Sequence, residues 1–498
     1  MQMKKILYTL IGIGSLVFAS CDMDKYPYDK IPTDEALQTA SDFENFRNGF
    51  YAYVRGQFTG DYVLQPEIQA DGLNAVIDYS NTYGSFYRWQ FTAEDGGGQW
   101  PTFYSLISNC NLMIEKSGDL IPTFSSADQA IAKRALGDAY FMRALAYNEL
   151  TLRFCKAYNS STASSDLGVA LVKKYAPSSS SSTYPARSSL AETYALIKSD
   201  LDSATKYVAV PGARNSGYVT VDAVRALKAR VALQMKDYPA AIAAAKPLVD
   251  EGAYPLVTSA QEMTRMWTND ESTETIFQPI FKTGQMGSAN GAILIDKSAS
   301  GTKIQPDFIP TKTVLDLYDK ANDLRFGVYF KAGEMTFSSG TVTLYYCAKY
   351  PGNPALYTGS TNFVNMPKIL RIAEMYMILA EAYNESGDAT NALAYLNALR
   401  AKRIAGYTAQ SYTGAALMNE IRKERQREFY MEGYRLWDLK RYGTGFSGRV
   451  PQDGTFVYLN NNANSTAISK EVNDFRFVWP IPTHETNANP QIQQNSGY

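Results

Sequence analysis

Ala380-Glu381-Ala382-Tyr383-Asn384-Glu385-Ser386-Gly387-Asp388-Ala389-Thr390-Asn391-Ala392-Leu393-Ala394-Tyr395-Leu396-Asn397-Ala398-Leu399 is the stretch whose reading decides the fold. Ala380 and Tyr383 share one side of a helix, Gly387-Asp388 ends it, and Ala392, Leu396 and Leu399 resume the spacing in a second helix. Further toward the N-terminus, Ala229, Ala232, Tyr238, Ala241, Ile242, Ala245 and Leu248 repeat the pattern around a turn at Lys236-Asp237. In both copies the small residues stand twelve positions apart, Ala229 to Ala241 and Ala380 to Ala392. That interval puts one small side chain on each helix of a hairpin, where the two cross.

This is the spacing of a tetratricopeptide-like repeat. One such unit cannot bury its own apolar face, so about three or more must stack. Partners are at hand. Trp100, Tyr104, Ile107, Asn111 and Ile114 step by three and four, and Ala135, Ala139, Tyr140, Arg143, Ala144 and Tyr147 alternate small and large. Ser41 to Arg55 also has helical spacing, with Phe43, Phe46, Phe50 and Val54 on one side. The expectation is a mainly α fold, one domain over 21–498, with helices around 100–154, 190–251, 370–403 and 416–442. Long irregular stretches at 56–99, 156–187, 253–365 and 443–480 carry many aromatics, as packed loops do.

Composition excludes several functions. Lys+Arg 48 against Asp+Glu 49 offers no basic surface to nucleic acid. His484 is the only histidine, so neither a zinc cluster nor a nucleophilic triad has its parts, and no cofactor, metal or catalytic residue is assigned. Residues 1–20 read as a signal peptide: Lys4 and Lys5 precede a short apolar run from Ile6 to Phe18. Phe18-Ala19-Ser20-Cys21 resembles a bacterial lipobox, which implies that Cys21 is the lipidated N-terminus, and the acidic Asp22-Met23-Asp24 after it resembles a surface-export signal, for an expected place on the outer membrane. Cys110, Cys155 and Cys347 are an odd, widely spaced set and no disulfide framework, though a single bridge stays open.

The C-terminal third adds Ile421-Arg422-Lys423-Glu424-Arg425-Gln426-Arg427-Glu428-Phe429-Tyr430-Met431-Glu432-Gly433-Tyr434-Arg435-Leu436-Trp437-Asp438-Leu439-Lys440-Arg441-Tyr442-Gly443. Its acids and bases interleave, which predicts a packed helix with internal ion pairs and not a phosphate-binding one. The stretch resembles the hallmark of the SusD/RagB family. So do the terminal Trp479-Pro480-Ile481-Pro482, Asn489-Pro490 and Gln494-Asn495-Ser496-Gly497-Tyr498, with Ser496 where a proline is common. The resemblance spans the chain after Cys21. It implies about four tetratricopeptide-like helix pairs supporting a loop-rich ligand-binding half, and no cofactor. It also implies capture of an oligosaccharide at the cell surface for a SusC-like TonB-dependent transporter.

Sugar rings stack on aromatic faces while their hydroxyls bind planar polar side chains. Gln69 to Asn74, with Tyr79, Asn81, Tyr83, Tyr87, Arg88 and Trp89, offers that mixture and corresponds to the ligand loop of the starch-binding members it resembles. Asp71, Asn74, Tyr83 and Trp89 are the chosen contacts, with Trp267 and Tyr345 on later loops. A tyrosine-rich loop merely packed on the scaffold would read the same way. Within the family, peptides or another oligomer are alternative cargo. Outside it, paired carboxylates can hydrolyse glycosides without His or metal, but no pair stands out; a scaffold that binds proteins alone is the other rival.

Overall fold

A computed structural model describes residues 36–95, 98–178, 180–458 and 469–498. The signal peptide and Cys21 lie outside the described residues. The longer helices are α1 (Ala40–Gln57), α2 (Asp61–Gln69), α3 (Gln99–Leu120), α4 (Ser126–Phe154), α5 (Leu190–Tyr207), α6 (Val221–Gln234), α7 (Tyr238–Asp250), α8 (Ala260–Thr268), α9 (Ile372–Glu385), α10 (Ala389–Arg403), α11 (Gly414–Glu428) and α12 (Arg435–Tyr442).

The two hairpins read from the sequence are α6–α7 and α9–α10, and their turns are built alike. Lys236 (φ 58°) and Gly387 (φ 83°) take left-handed backbone just past the first helix. Asp237 and Asp388 then cap the second helix, accepting the N–H of Ala240 at 3.3 Å and of Asn391 at 3.0 Å. The four alanines at the crossings are fully buried. Packing continues from element to element: α1 and α3 on α4, α4 on α5, α5 on α6, α7 on α9, and α9 and α10 on α11. Trp100, Ile107, Ala139 and Tyr147 fall in the common core with Leu396 and Leu399.

The rest is a loop-rich half with its own apolar clusters, around Trp267, Tyr329, Phe330 and Tyr430, and around Ile309, Met335 and Leu344. Its sheets are all two-stranded and antiparallel. Among them β1 (Leu73–Ala75) pairs with β2 (Phe308–Pro310), and β3 (Phe330–Phe337) with β4 (Gly340–Cys347).

The charged stretch at 421–443 is not one helix. The chain breaks between α11 and α12, where Met431 (φ 61°) and Gly433 (φ 83°) are left-handed. Glu67 of α2 accepts the N–H groups of Gly433 and Tyr434 at 2.8 and 3.0 Å, so the break is paid for by a side chain of another element. Nor are the ion pairs mostly internal. Glu428 meets Arg325, Arg371 and Arg403, at 2.8, 2.6 and 2.8 Å, and Glu424 meets Arg325 and Arg400, each at 2.7 Å. All six of these cations and acids are essentially buried, and they tie the helices to the loop half. Cys110, Cys155 and Cys347 are free, buried thiols; burial pushes Cys347 up to about 11.

Candidate functional site

After β1 the chain leaves the core as a loop and returns through the single helical turn Gly84–Tyr87. The footing of this loop is Arg449, fully buried, whose guanidinium donates to the carbonyls of Ile68, Gln69 and Ala70 at the end of α2. It also donates to the Tyr87 carbonyl at 2.8 Å. One cation thus fixes both ends of the excursion.

At its tip Asn81 (φ 62°) and Tyr83 (φ 57°) take left-handed backbone, each at a cost of about 1–2 kcal/mol. Gly84 follows, where a Cβ would lie 2.1 Å from Asn81 Oδ1 and 2.6 Å from Arg88 Nη1. Only glycine lets Asn81 and Arg88 close over the turn. Arg88 Nη1 donates to Asn81 Oδ1 at 2.8 Å and to Tyr79 Oη, Arg88 Nε donates to Gln90 Oε1 at 3.1 Å, and Tyr79 Oη donates to Asn81 Oδ1 at 3.1 Å. Tyr83 Oη donates to Asp61 Oδ1 at 2.6 Å, at the start of α2. Burial, with Asp61 beside it, pushes the Tyr83 hydroxyl well above its ordinary value, so it stays a donor. Tyr79 packs on Tyr458 and Phe308 with ring centroids at 5.0 and 5.9 Å. The result is a fixed surface cluster of partly exposed aromatic rings and planar polar groups.

Sequence profiles of two groups match this chain: the SusD family over residues 331–498, and the group described as starch-binding, associating with the outer membrane, over 24–233. A SusD-like protein of Formosa agariphila is 26% identical over 439 residues, 80% of this chain and 79% of that one. The starch-binding protein SusD of Bacteroides thetaiotaomicron is 32% identical over 131 residues, 26% of this chain and 21% of that one. The crystal structure of a SusD superfamily protein from Bacteroides thetaiotaomicron superposes with a TM-score of 0.77 at 26% identity, over 92% of this chain and 99% of that one.

The chain belongs to the SusD/RagB family. SusD family proteins are non-catalytic binding proteins, and this SusD-like chain belongs with an outer-membrane-associating group. Among its described residues no helix is long and apolar enough to cross a membrane.

The six residues chosen from the sequence separate sharply in the SusD-like structure. Tyr83 alone of them lies in the surface cluster, beside Tyr79, Asn81 and Arg88. Trp89 is 2% exposed; its Nε1 donates to the Gln69 carbonyl at 2.7 Å and its ring is covered by Phe446 and Phe477, so no face is free for a sugar. Asn74 is fully buried on β1, donating to the Arg449 carbonyl at 3.0 Å. Asp71 forms a two-bond pair with Arg435, at 2.8 and 2.6 Å. Burial alone would raise its carboxyl, but Arg435 leaves it below the ordinary value. Trp267 is not on a loop but in α8, buried, with the ammonium groups of Lys349 and Lys368 4.0 and 4.9 Å from its ring centre. Tyr345 is on β4, half-buried against Phe326.

Trp267 also borders a partly open cavity of about 80 Å³, shared with Tyr62, Glu149, Arg230, Tyr434 and Lys440. That volume suits a few waters and not a sugar chain. The surface cluster is therefore the better candidate. Tyr79, Asn81 and Arg88 stood in the stretch singled out from the sequence but were not chosen. The signal was Ser80-Asn81-Thr82-Tyr83-Gly84, a run of turn formers that marks the exposed tip, whereas Asp71 precedes a strand leading inward and Asn74 lies on it.

Proposed function

We propose that this protein captures an oligosaccharide at the cell surface on the loop bearing Tyr79, Asn81, Tyr83 and Arg88, and hands it to a SusC-like TonB-dependent transporter of the outer membrane. The observation that carries this reading is the cluster itself. Aromatic rings and a fixed fork of planar donors and acceptors stand together at the surface, on backbone held in an unfavourable conformation. The starch-binding SusD supports the same class of ligand by its name. In this reading the helical hairpins form a tetratricopeptide-like scaffold of about four pairs, 21–498 is one domain, and acylated Cys21 holds it on the extracellular side. Tyr83 touches sugar, and Asp71, Asn74 and Trp89 hold the loop's footing.

Isothermal titration of the chain from Asp22 onward against oligosaccharides and oligopeptides tests this. Saturable glycan binding, weakened about tenfold in Tyr83→Ala, is the expected outcome. Binding of peptides alone would overturn the glycan assignment and leave a SusD-like capture protein of another cargo.

A further inference from the structure

The acids and bases around the candidate loop are unequally satisfied. Asp61 accepts from Tyr83 Oη, and Asp78 accepts from Ser338 N and Oγ at 2.6 and 2.7 Å. Asp307 accepts from Ser80 N at 2.8 Å and lies 3.4 Å from Lys297 Nζ. Arg88 is different. It is half-buried, yet its three bonds go to neutral oxygens, those of Tyr79, Asn81 and Gln90. Among the described residues no carboxylate comes within ion-pairing distance of it. A guanidinium carries five N–H groups. Nε and Nη1 account for the bonds made, and the Nη2 amino group has none among the described residues.

The contrast within the molecule is informative. Arg325, Arg371, Arg403 and Arg435 each have a carboxylate at 2.6–2.8 Å. Arg449, which has none, has all three of its nitrogens bonded, to four backbone carbonyls. Arg88 is held in place by neutral partners, keeps its charge uncompensated, and retains donors in a planar array. That is the arrangement that receives a carboxylate or sulfate, whose oxygens match the fork.

We infer that the cargo of this loop is an acidic oligosaccharide whose carboxylate or sulfate group is bound by Arg88. The inference rests on the glycan-capture reading and narrows it to one substrate class. Tyr79 and Asn81 orient the guanidinium, Gly84 makes room for it, and Tyr83 supplies the adjoining ring.

The test titrates the full chain in detergent with oligogalacturonates, carrageenan oligosaccharides, maltooligosaccharides and laminarin oligosaccharides, at low and at high salt. The result expected is that the uronate or the sulfated set binds at least about tenfold more tightly than either neutral set, and more weakly in high salt. Uronate binding would mark a carboxylate, carrageenan binding a sulfate. Arg88→Met should erase the preference, while Arg88→Lys, which keeps the charge and loses the fork, should fall between. Equal or tighter binding of a neutral set would overturn the inference and leave glycan capture standing. So would acidic binding that Arg88→Met does not change. Silence toward all four sets would sink both.

Discussion

Glu67 shows how a single residue couples the candidate site to the scaffold. It lies on α2, whose first residue holds Tyr83, and its carboxylate caps the broken backbone between α11 and α12. Burial raises its carboxyl to about 7, against the hydrogen bonds from Gly433, Arg435 and Tyr434 that favour the charged form. The ordinary value is 4.5, so between pH 4.5 and about 7 the folded chain keeps a proton that the unfolded chain has lost. Stability from this group is therefore greatest at the acidic end and falls as pH rises through that window. Glu67→Gln keeps the accepting oxygen and removes the titration. Denaturant midpoints measured from pH 5 to 8 should lose this part of their slope in the variant; an unchanged slope would exclude Glu67 as its source. Nothing in the sequence flagged this residue, because its partners are backbone groups more than 360 positions away.

At the scale of the element, the hairpins were legible because their rules are local. Small residues at the crossing, a left-handed residue after one helix and a capping Asp before the next all fall within a short window. The broken helix at 421–443 was not legible for the opposite reason. Its charges look like internal pairs in sequence, yet they are matched from outside the stretch, by Arg400 and Arg403 of the preceding helix and by Arg325 and Arg371 of the loop half. The candidate loop falls between these cases. Its composition identified the stretch, but inward or outward direction depends on the partners of each residue, and Trp89 turned inward to Gln69. The two equivalent turn positions give a matched stability test. A Cβ at Gly387 meets nothing, so Gly387→Ala should cost only the left-handed backbone penalty, about 1–2 kcal/mol. Lys236→Gly should stabilise by a comparable or smaller amount, since glycine also gains freedom in the unfolded chain. Chemical denaturation of both variants reads the two signs directly; the same sign for both would contradict the shared turn geometry.

For the molecule as a whole, the buried ion network joins the helical scaffold to the half that carries the loop. Burial opposes the charge on Glu428, but Arg403, Arg371 and Arg325 hold its carboxyl well below the ordinary carboxylate range. Its contribution is thus present at neutral pH and lost only far into acid. Glu428→Gln leaves three buried guanidinium groups short of a partner, at an expected cost of about 3–5 kcal/mol. Thermal unfolding should show that loss at pH 7, and a near-wild-type midpoint would mean the cations find other partners. Where the sugar is captured can be read from a crystal structure with a bound oligosaccharide. The expected result is a sugar ring against Tyr83 with polar groups on Asn81 and Arg88; a chain bound elsewhere, with these residues untouched, would rule out capture on this loop.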